Sequence, residues 1–350
     1  MKAGVFYKSR DVRFEDVETP VLTGDEFDVL IEVKAAGICG SDMHYYRGEA
    51  PVQLPQGTIL GHELSGKVLE VGEGVTNIKS GDRVGIEPLL GCGTCSYCQN
   101  GEYHLCKQLS HIGYAYKGGF AQYVKVPHNK VYKLTDEIGY EEATLLDGYA
   151  VGVHALHLVP IKLGDFIVVL GAGTIGICMA QIAQAAGASR VVLVGRSEAI
   201  LDIAKEAGIK EVFNTSEDGD LNTWIQEQTN GLGADIVYET IGGNAPTLNQ
   251  AVDIVRAGGS IGILGMHFND KPINLLSAHM KEVKWFYCFS YARWEERTEF
   301  EIALNLLKEK KINARPLITH RYSLEQISEA FEMCMDKTKA KAIKAVVLPE

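Results

Sequence analysis

Val168-Val169-Leu170-Gly171-Ala172-Gly173-Thr174-Ile175-Gly176 places a G-x-G-x-x-G directly after an apolar run and at the mouth of a helical pattern. Each glycine has a chemical reason. Gly171 permits a tight turn, Gly173 lets backbone amides approach a pyrophosphate at the helix N-terminus, and Gly176 lets helix and strand pack closely. Alone, such a loop would also serve as a structural turn, so the flanks decide. Phe166 to Leu170 reads as a strand and Ile175 to Ala186 as a helix. Strands then follow at Arg190 to Val194, Glu211 to Asn214 and Asp235 to Glu239, separated by helices Ser197 to Ala207 and Leu221 to Thr229. Strands alternating with helices of this length are βαβ units around a parallel sheet. Residues 151–290 are therefore expected to form a doubly wound α/β domain that binds a dinucleotide through Gly171, Gly173, Thr174, Ile175 and Gly176.

The strand after the glycine loop ends Val194-Gly195-Arg196-Ser197. An acid at this point would bind both ribose hydroxyls of NAD. Gly195 carries no carboxylate to repel a 2′-phosphate, Arg196 offers a planar cationic fork, and Ser197 offers a hydroxyl at the start of the next helix. NADP is favoured over NAD; Arg196 as a merely solvated charge is the bland alternative.

On either side of this domain the pattern changes. Residues 1–150 are short alternating runs punctuated by glycine, such as Val29 to Ala35, Gly66 to Gly72 and Gly81 to Ile86, which predict an irregular, mostly β domain. Residues 291–350 carry helical patterns at Thr298 to Lys308 and Leu324 to Met335, then a strand at Ala342 to Leu348. That strand has no neighbour nearby in sequence and is expected to complete a sheet begun in the first half.

Composition narrows the function. Thirty-four Lys and Arg against 45 Asp and Glu give a net charge of −11, with no long basic run, so nucleic acid is a poor partner. No stretch approaches the roughly 18 apolar residues of a membrane span. The start Met1-Lys2-Ala3-Gly4-Val5 runs straight into strand-like sequence, so a cytoplasmic location is expected.

Four of the eight cysteines, Cys92, Cys95, Cys98 and Cys106, crowd into a glycine-rich stretch. Four soft thiolates at this spacing suit a closed tetrahedral zinc with a structural task. Cys39, in Gly37-Ile38-Cys39-Gly40-Ser41-Asp42, and His62-Glu63 form a second candidate set, with a further carboxylate at Asp147. A thiolate and an imidazole on separate loops suit a zinc with an exchangeable position. On spacing alone Cys39 more often is a buried small hydrophobe and His62 an ordinary hydrogen-bonded turn residue.

Taken together, Cys39-Gly40-Ser41-Asp42 with His44, Gly61-His62-Glu63, the cysteine lobe, the glycine loop and Gly258-Gly259 resemble the zinc-dependent medium-chain alcohol/polyol dehydrogenase family over nearly the whole chain. The resemblance implies a GroES-like β catalytic domain at 1–150, a Rossmann domain at 151–290, and a segment at 291–350 that completes the catalytic domain. It makes Cys39 and His62 ligands of a catalytic zinc and puts the next positions at Glu63 and Asp147. The segment Asp147-Gly148-Tyr149-Ala150-Val151-Gly152 departs from the Glu-Pro-Leu-Ala-Val-Gly of sorbitol- and threonine-type members, which leaves open which carboxylate is the third ligand. By the same resemblance Ser41 hydrogen-bonds the reacting alcohol, His44 is the distal end of a proton relay, and Gly265 joins the cofactor-binding residues.

The implied activity is hydride transfer between NADP(H) and a secondary alcohol, with a polyol, cyclitol or vicinal diol ahead of ethanol. An amino-hydroxy substrate, a ketone or aldehyde reductase working in the other direction, and a zinc-dependent binding module are the alternatives. Tyr114-Ala115-Tyr116, Phe286 to Phe289, Arg47, Glu87, His267 and Arg293 are candidates to shape the substrate site, or equally core and surface. A homodimer or homotetramer is expected from the resemblance.

Overall fold

The computed structural model describes residues 1–22, 26–337 and 339–349. Two compact units divide the chain. One comprises Met1–Asp147, Glu295–Lys308 and Ile318–Glu350, the other Gly148–Trp294 and Glu309–Leu317.

The first unit is built on an alternating strand, Asp28–Gly37, whose Val29, Ile31, Val33 and Ala35 are buried while the residues between them are half-buried. Period-two burial is what a strand with one face on a core requires. It lies in a sheet ordered Val131–Lys133, Arg83–Ile86, Glu63–Val71, Asp28–Gly37, Lys344–Leu348, Ile318–Ser323, and it also pairs with Tyr123–Pro127. The last strand of the chain thus returns to the first half, antiparallel to Asp28–Gly37, with Val346 opposite Gly37 and Val347 opposite Ala36. Leu64, Val68, Val84, Val124, Phe120 and Phe331 fill the core beneath.

The second unit is a six-stranded parallel sheet in the order Glu211–Asn214, Arg190–Gly195, Phe166–Leu170, Ala234–Glu239, Val255–Ile263, Lys284–Tyr287. Phe166–Leu170 is buried along its whole length, as a central parallel strand covered by helices on both faces must be. The order runs outward in one direction before it and in the other after it. That reversal is the switch point at which such sheets open a ligand crevice, and the glycine loop stands there.

Two features depart from the sequence reading. Lys284–Tyr287, which overlaps the aromatic stretch Phe286 to Phe289 and is not read as a strand, is the edge strand; four residues paired on one side produce no alternation to detect. Residues 309–317 group with the second unit rather than with the rest of the C-terminal segment. Gln181, buried on the helix Thr174–Ala185, accounts for this: its Oε1 accepts from the Asn313 amide at 2.5 Å and its Nε2 donates to the Asn313 carbonyl at 3.2 Å.

Candidate metal and nucleotide sites

The cysteine lobe is held by short-range geometry. Cys95 precedes the one-turn helix Ser96–Gln99, which carries Cys98, and Cys106 closes the 3₁₀ turn Tyr103–Leu105. The Sγ atoms of Cys92 and Cys98 lie 4.0 Å apart and those of Cys95 and Cys106 3.8 Å apart. A tetrahedron with metal–sulfur bonds of about 2.3 Å has edges of about 3.8 Å, so the four sulfurs fit a zinc. Amides of Cys95 and Gln108 point at the Cys92 and Cys106 sulfurs at 3.4 and 3.3 Å. Hydrogen bonds led by Thr94 bring the Cys92 thiol down to about 6, whereas burial pushes Cys98 up to about 12. A dication is what lets all four be thiolates together.

The second donor set is assembled from distant segments. Cys39 stands before the helix Gly40–Arg47, and His62 and Glu63 lie at the start of the strand Glu63–Val71. The ligand atoms of Cys39, His62 and Glu63 all lie within 4.8 Å of one another, with His62 and Glu63 buried. A thiolate, an imidazole and a carboxylate at this separation fit a zinc that keeps a position open. Asp147, half-buried on the first turn of the helix Leu146–Leu158, is outside this group of three.

Asp42 orders the set from behind. At the third position of its helix, its Oδ2 accepts from the Cys39 amide at 2.9 Å, and its Oδ1 faces His62 Nδ1 at 3.5 Å. A proton held on Nδ1 by a carboxylate leaves Nε2 as the metal-facing nitrogen. Burial disfavours charge on His62, yet Tyr114, Asp42 and Cys39 around it raise its pKa well above the ordinary value. The surroundings are electrostatically suited to a cation. Glu63 is in turn paired with Lys344, both fully buried. Gly37 makes this possible, since a Cβ there would lie 2.4 Å from Glu63 Oε2 and 3.2 Å from Lys344 Cδ.

Ser41 Oγ lies 3.4 Å from His62 Nε2. One turn later on the same helix, His44 pairs through Nδ1 with Glu49 at 2.9 Å and is partly exposed. Several other sequence candidates have structural duties. Glu87 is buried and accepts from Lys130 and Tyr132, each at 2.7 Å. Arg47 reaches the carbonyls of Cys334 and Met335 at 3.5 and 3.4 Å. His267 lies 3.3 Å from Glu239 Oε2 and 3.3 Å from the Gly243 carbonyl.

In the second unit the glycine loop joins Phe166–Leu170 to the helix Thr174–Ala185, with Gly171 at φ +111. A Cβ on Gly176 would lie 1.7 Å from the Gly171 carbonyl, so no other residue closes this turn. Gly265 approaches Gly242 closely enough to exclude a side chain as well, its Cβ falling 2.3 Å from the Gly242 nitrogen. Gly195 ends its strand with Arg196 exposed beside it. The helix N-terminus and open backbone fit a pyrophosphate.

Residues 25–136 match the family model for the alcohol dehydrogenase GroES-like domain and residues 174–309 that for zinc-binding dehydrogenase. The chain is 34% identical to a sorbitol dehydrogenase of Bacillus subtilis, covering 100% of this chain and 97% of that one. It belongs to the medium-chain zinc alcohol/polyol dehydrogenase family. Among solved structures it is similar to a 2R,3R-butanediol dehydrogenase from Bacillus subtilis, with 32% identity, a TM-score of 0.88 and coverage of 100% and 99% of the two chains. It is also similar to a zinc-binding dehydrogenase from Sinorhizobium meliloti bound to NADP, with 29% identity, a TM-score of 0.87 and 99% of each chain covered. The medium-chain dehydrogenase is thus an oxidoreductase with a GroES-like and a Rossmann domain, and zinc and a nicotinamide cofactor belong to its chemistry.

Two residues escaped the sequence reading as parts of the site. Asp42 enters the sequence pattern only inside its motif, although an acid three residues after a helix-capping position is itself a signal. Lys344 gave none, because its partner lies 281 residues away.

Proposed function

We propose that this dehydrogenase interconverts a secondary alcohol bearing further hydroxyls, a polyol, cyclitol or vicinal diol, with its ketone, and that it prefers NADP(H). The observation that carries the alcohol chemistry is the Ser41 hydroxyl 3.4 Å from Nε2 of His62, beside the Cys39, His62 and Glu63 donors. These three, with Asp147 as the other carboxylate in reach of the role, would hold the catalytic zinc; the four lobe cysteines would hold a structural one. Bound zinc supplies the Lewis acidity that brings an alcohol's pKa toward neutrality, and the nicotinamide takes up the hydride. Ser41 receives the alcohol's proton, and His44, oriented by Glu49 and partly exposed, releases it toward solvent.

For the cofactor, the loop from Gly171 to Gly176 holds the pyrophosphate, and Arg196 with Ser197 holds the 2′-phosphate. A Cβ at position 195 would lie 2.8 Å from Leu201 and 2.9 Å from Ala172. The packing therefore favours glycine where an NAD enzyme carries its acid, and the cation beside it has a free approach. Arg196→Leu is expected to raise KM for NADP about 10- to 100-fold while leaving KM for NAD within about twofold. Initial rates with both cofactors on sorbitol, xylitol, myo-inositol, butane-2,3-diol, threonine and isopropanol, using protein of assayed zinc content, test both halves. Turnover of simple alcohols alone would overturn the polyol reading, and an unchanged cofactor ratio in Arg196→Leu the NADP reading.

A homodimer or homotetramer is part of this proposal. Its support is the sheet edge at Lys284–Tyr287, where Tyr287 is 72% exposed, with Met280 75% exposed at the end of the preceding helix Leu275–Met280, and sedimentation of the purified protein decides it.

A further inference from the structure

The donor set around Cys39 and His62 includes one polar atom that the proposed reaction does not use. Tyr114 stacks on His111 with centroids 4.6 Å apart and planes at 20°. It also packs against Tyr45 at 5.0 Å and His62 at 5.5 Å. Three rings on different elements fix the phenol's direction. Its oxygen is buried and has no hydrogen-bond partner, although the Ser41 hydroxyl is close enough to influence it. His111 does not satisfy it, because Nδ1 of that ring donates to the Ile112 carbonyl at 2.8 Å.

A buried hydroxyl left unpaired costs about 1–3 kcal/mol, and phenylalanine would fill the same space without that cost. The hydroxyl is therefore placed for something that arrives. A phenol ordinarily titrates at about 10, so at neutral pH Tyr114 carries its proton and is a donor. Ser41 beside it is the group assigned above to the reacting oxygen. Ser41 and Tyr114 both stand beside the His62 ring, and a substrate with oxygens on neighbouring carbons offers one to each hydroxyl.

We propose that Tyr114 donates a hydrogen bond to a second substrate oxygen, vicinal to the reacting one, and so selects vicinal diols over mono-alcohols. This rests on reading Cys39, His62 and Ser41 as the place where the alcohol reacts. A site that must hydrogen-bond a substrate hydroxyl discriminates strongly against an analogue lacking it, because its own polar group is then left unpaired.

The test compares butane-2,3-diol with butan-2-ol on zinc-loaded wild type and Tyr114→Phe. The expected result is a loss of about 10- to 100-fold in kcat/KM for the diol in the variant, with butan-2-ol within about twofold. A second readout is diol binding to the enzyme–NADPH complex, followed by NADPH fluorescence, which is expected to weaken by a similar factor. Thermal unfolding is a third: a structural hydrogen bond made by the hydroxyl would lower Tm in Tyr114→Phe, whereas loss of an unpaired buried hydroxyl leaves Tm unchanged or raised. Equal losses for both alcohols, or no loss in diol binding, would overturn the proposal. Should wild type oxidise neither alcohol, the functional reading fails, and the fluorescence titration still decides whether Tyr114 binds a diol.

Discussion

Among the described residues, two buried glutamate–lysine pairs lie in the first unit, and their surroundings differ in one respect that separates scaffold from chemistry. Glu87 is saturated: Lys130 occupies Oε1, Tyr132 occupies Oε2, and Tyr103, between the third and fourth lobe cysteines, hydrogen-bonds the same carboxylate. Lys130 also lies 4.1 Å from the Tyr103 ring centroid, so this pair ties the cysteine lobe to the sheet. Glu63 instead gives Oε2 to Lys344 and stands within 4.8 Å of the Cys39 and His62 ligand atoms. A carboxylate whose partners are all internal can only hold the fold together. One with a single internal partner beside soft and imidazole donors retains capacity for an ion.

The largest expected effect comes from removing the thiolate that gives Glu63 its chemical company. Cys39→Ser is expected to lower turnover by a factor on the order of 10³ or more, as loss of several kcal/mol of charge stabilisation requires. The variant should retain about one zinc of about two per chain, because the lobe keeps its four sulfurs. Metal analysis alongside rates checks this. Full activity with the Cys39 zinc missing would break the distinction between the two regions.

Glu87→Gln probes the opposite member. Removing one partner of a buried pair leaves Lys130 charged and uncompensated, at a cost of about 3–5 kcal/mol. Denaturant unfolding should show that loss equally with and without zinc at the Cys39 set. Surviving protein should keep its KM values, since the Glu87 carboxylate is taken up by Lys130, Tyr132 and Tyr103. A changed KM with unchanged stability would move Glu87 to the chemical side of the comparison.

How far each region could be read from sequence follows from how far apart its parts lie. The lobe's ligands sit within 15 residues, and local turns bring them together, so spacing alone pointed to a metal. The glycine loop is similarly local, and the strands and helices around it were legible because each repeats its own period. Cys39 and His62 lie on separate loops, and spacing left them ambiguous until the whole set of motifs was weighed. Asp147 shows the limit: its segment's likeness to other members marked it, yet the three donors that the structure gathers do not include it. Lys344 was beyond reach, since its place depends on the final strand crossing back to lie against Asp28–Gly37. The edge strand Lys284–Tyr287 was missed for a related reason, its pairing being one-sided and its burial without alternation.

In zinc-loaded protein Lys344→Met gives the smallest and most discriminating effect. Without the lysine, Glu63 is a buried carboxylate facing Cys39 and His62 that has lost its ion-pair partner, with Lys337 still near enough to act on it. Metal-free protein should therefore lose stability comparably to Glu87→Gln, whereas zinc should recover most of it, because an ion at the three donors neutralises Glu63 directly. The recovery has a simple origin: a ligand that binds only the folded state stabilises it according to its affinity and concentration, and the freed carboxylate raises that affinity. Thermal unfolding with and without added zinc should show a larger zinc-dependent rise in Lys344→Met than in wild type, and no such difference for Glu87→Gln. Identical zinc responses in all three proteins would mean that Glu63, like Glu87, is a structural partner only, and would leave Asp147 as the carboxylate to pursue.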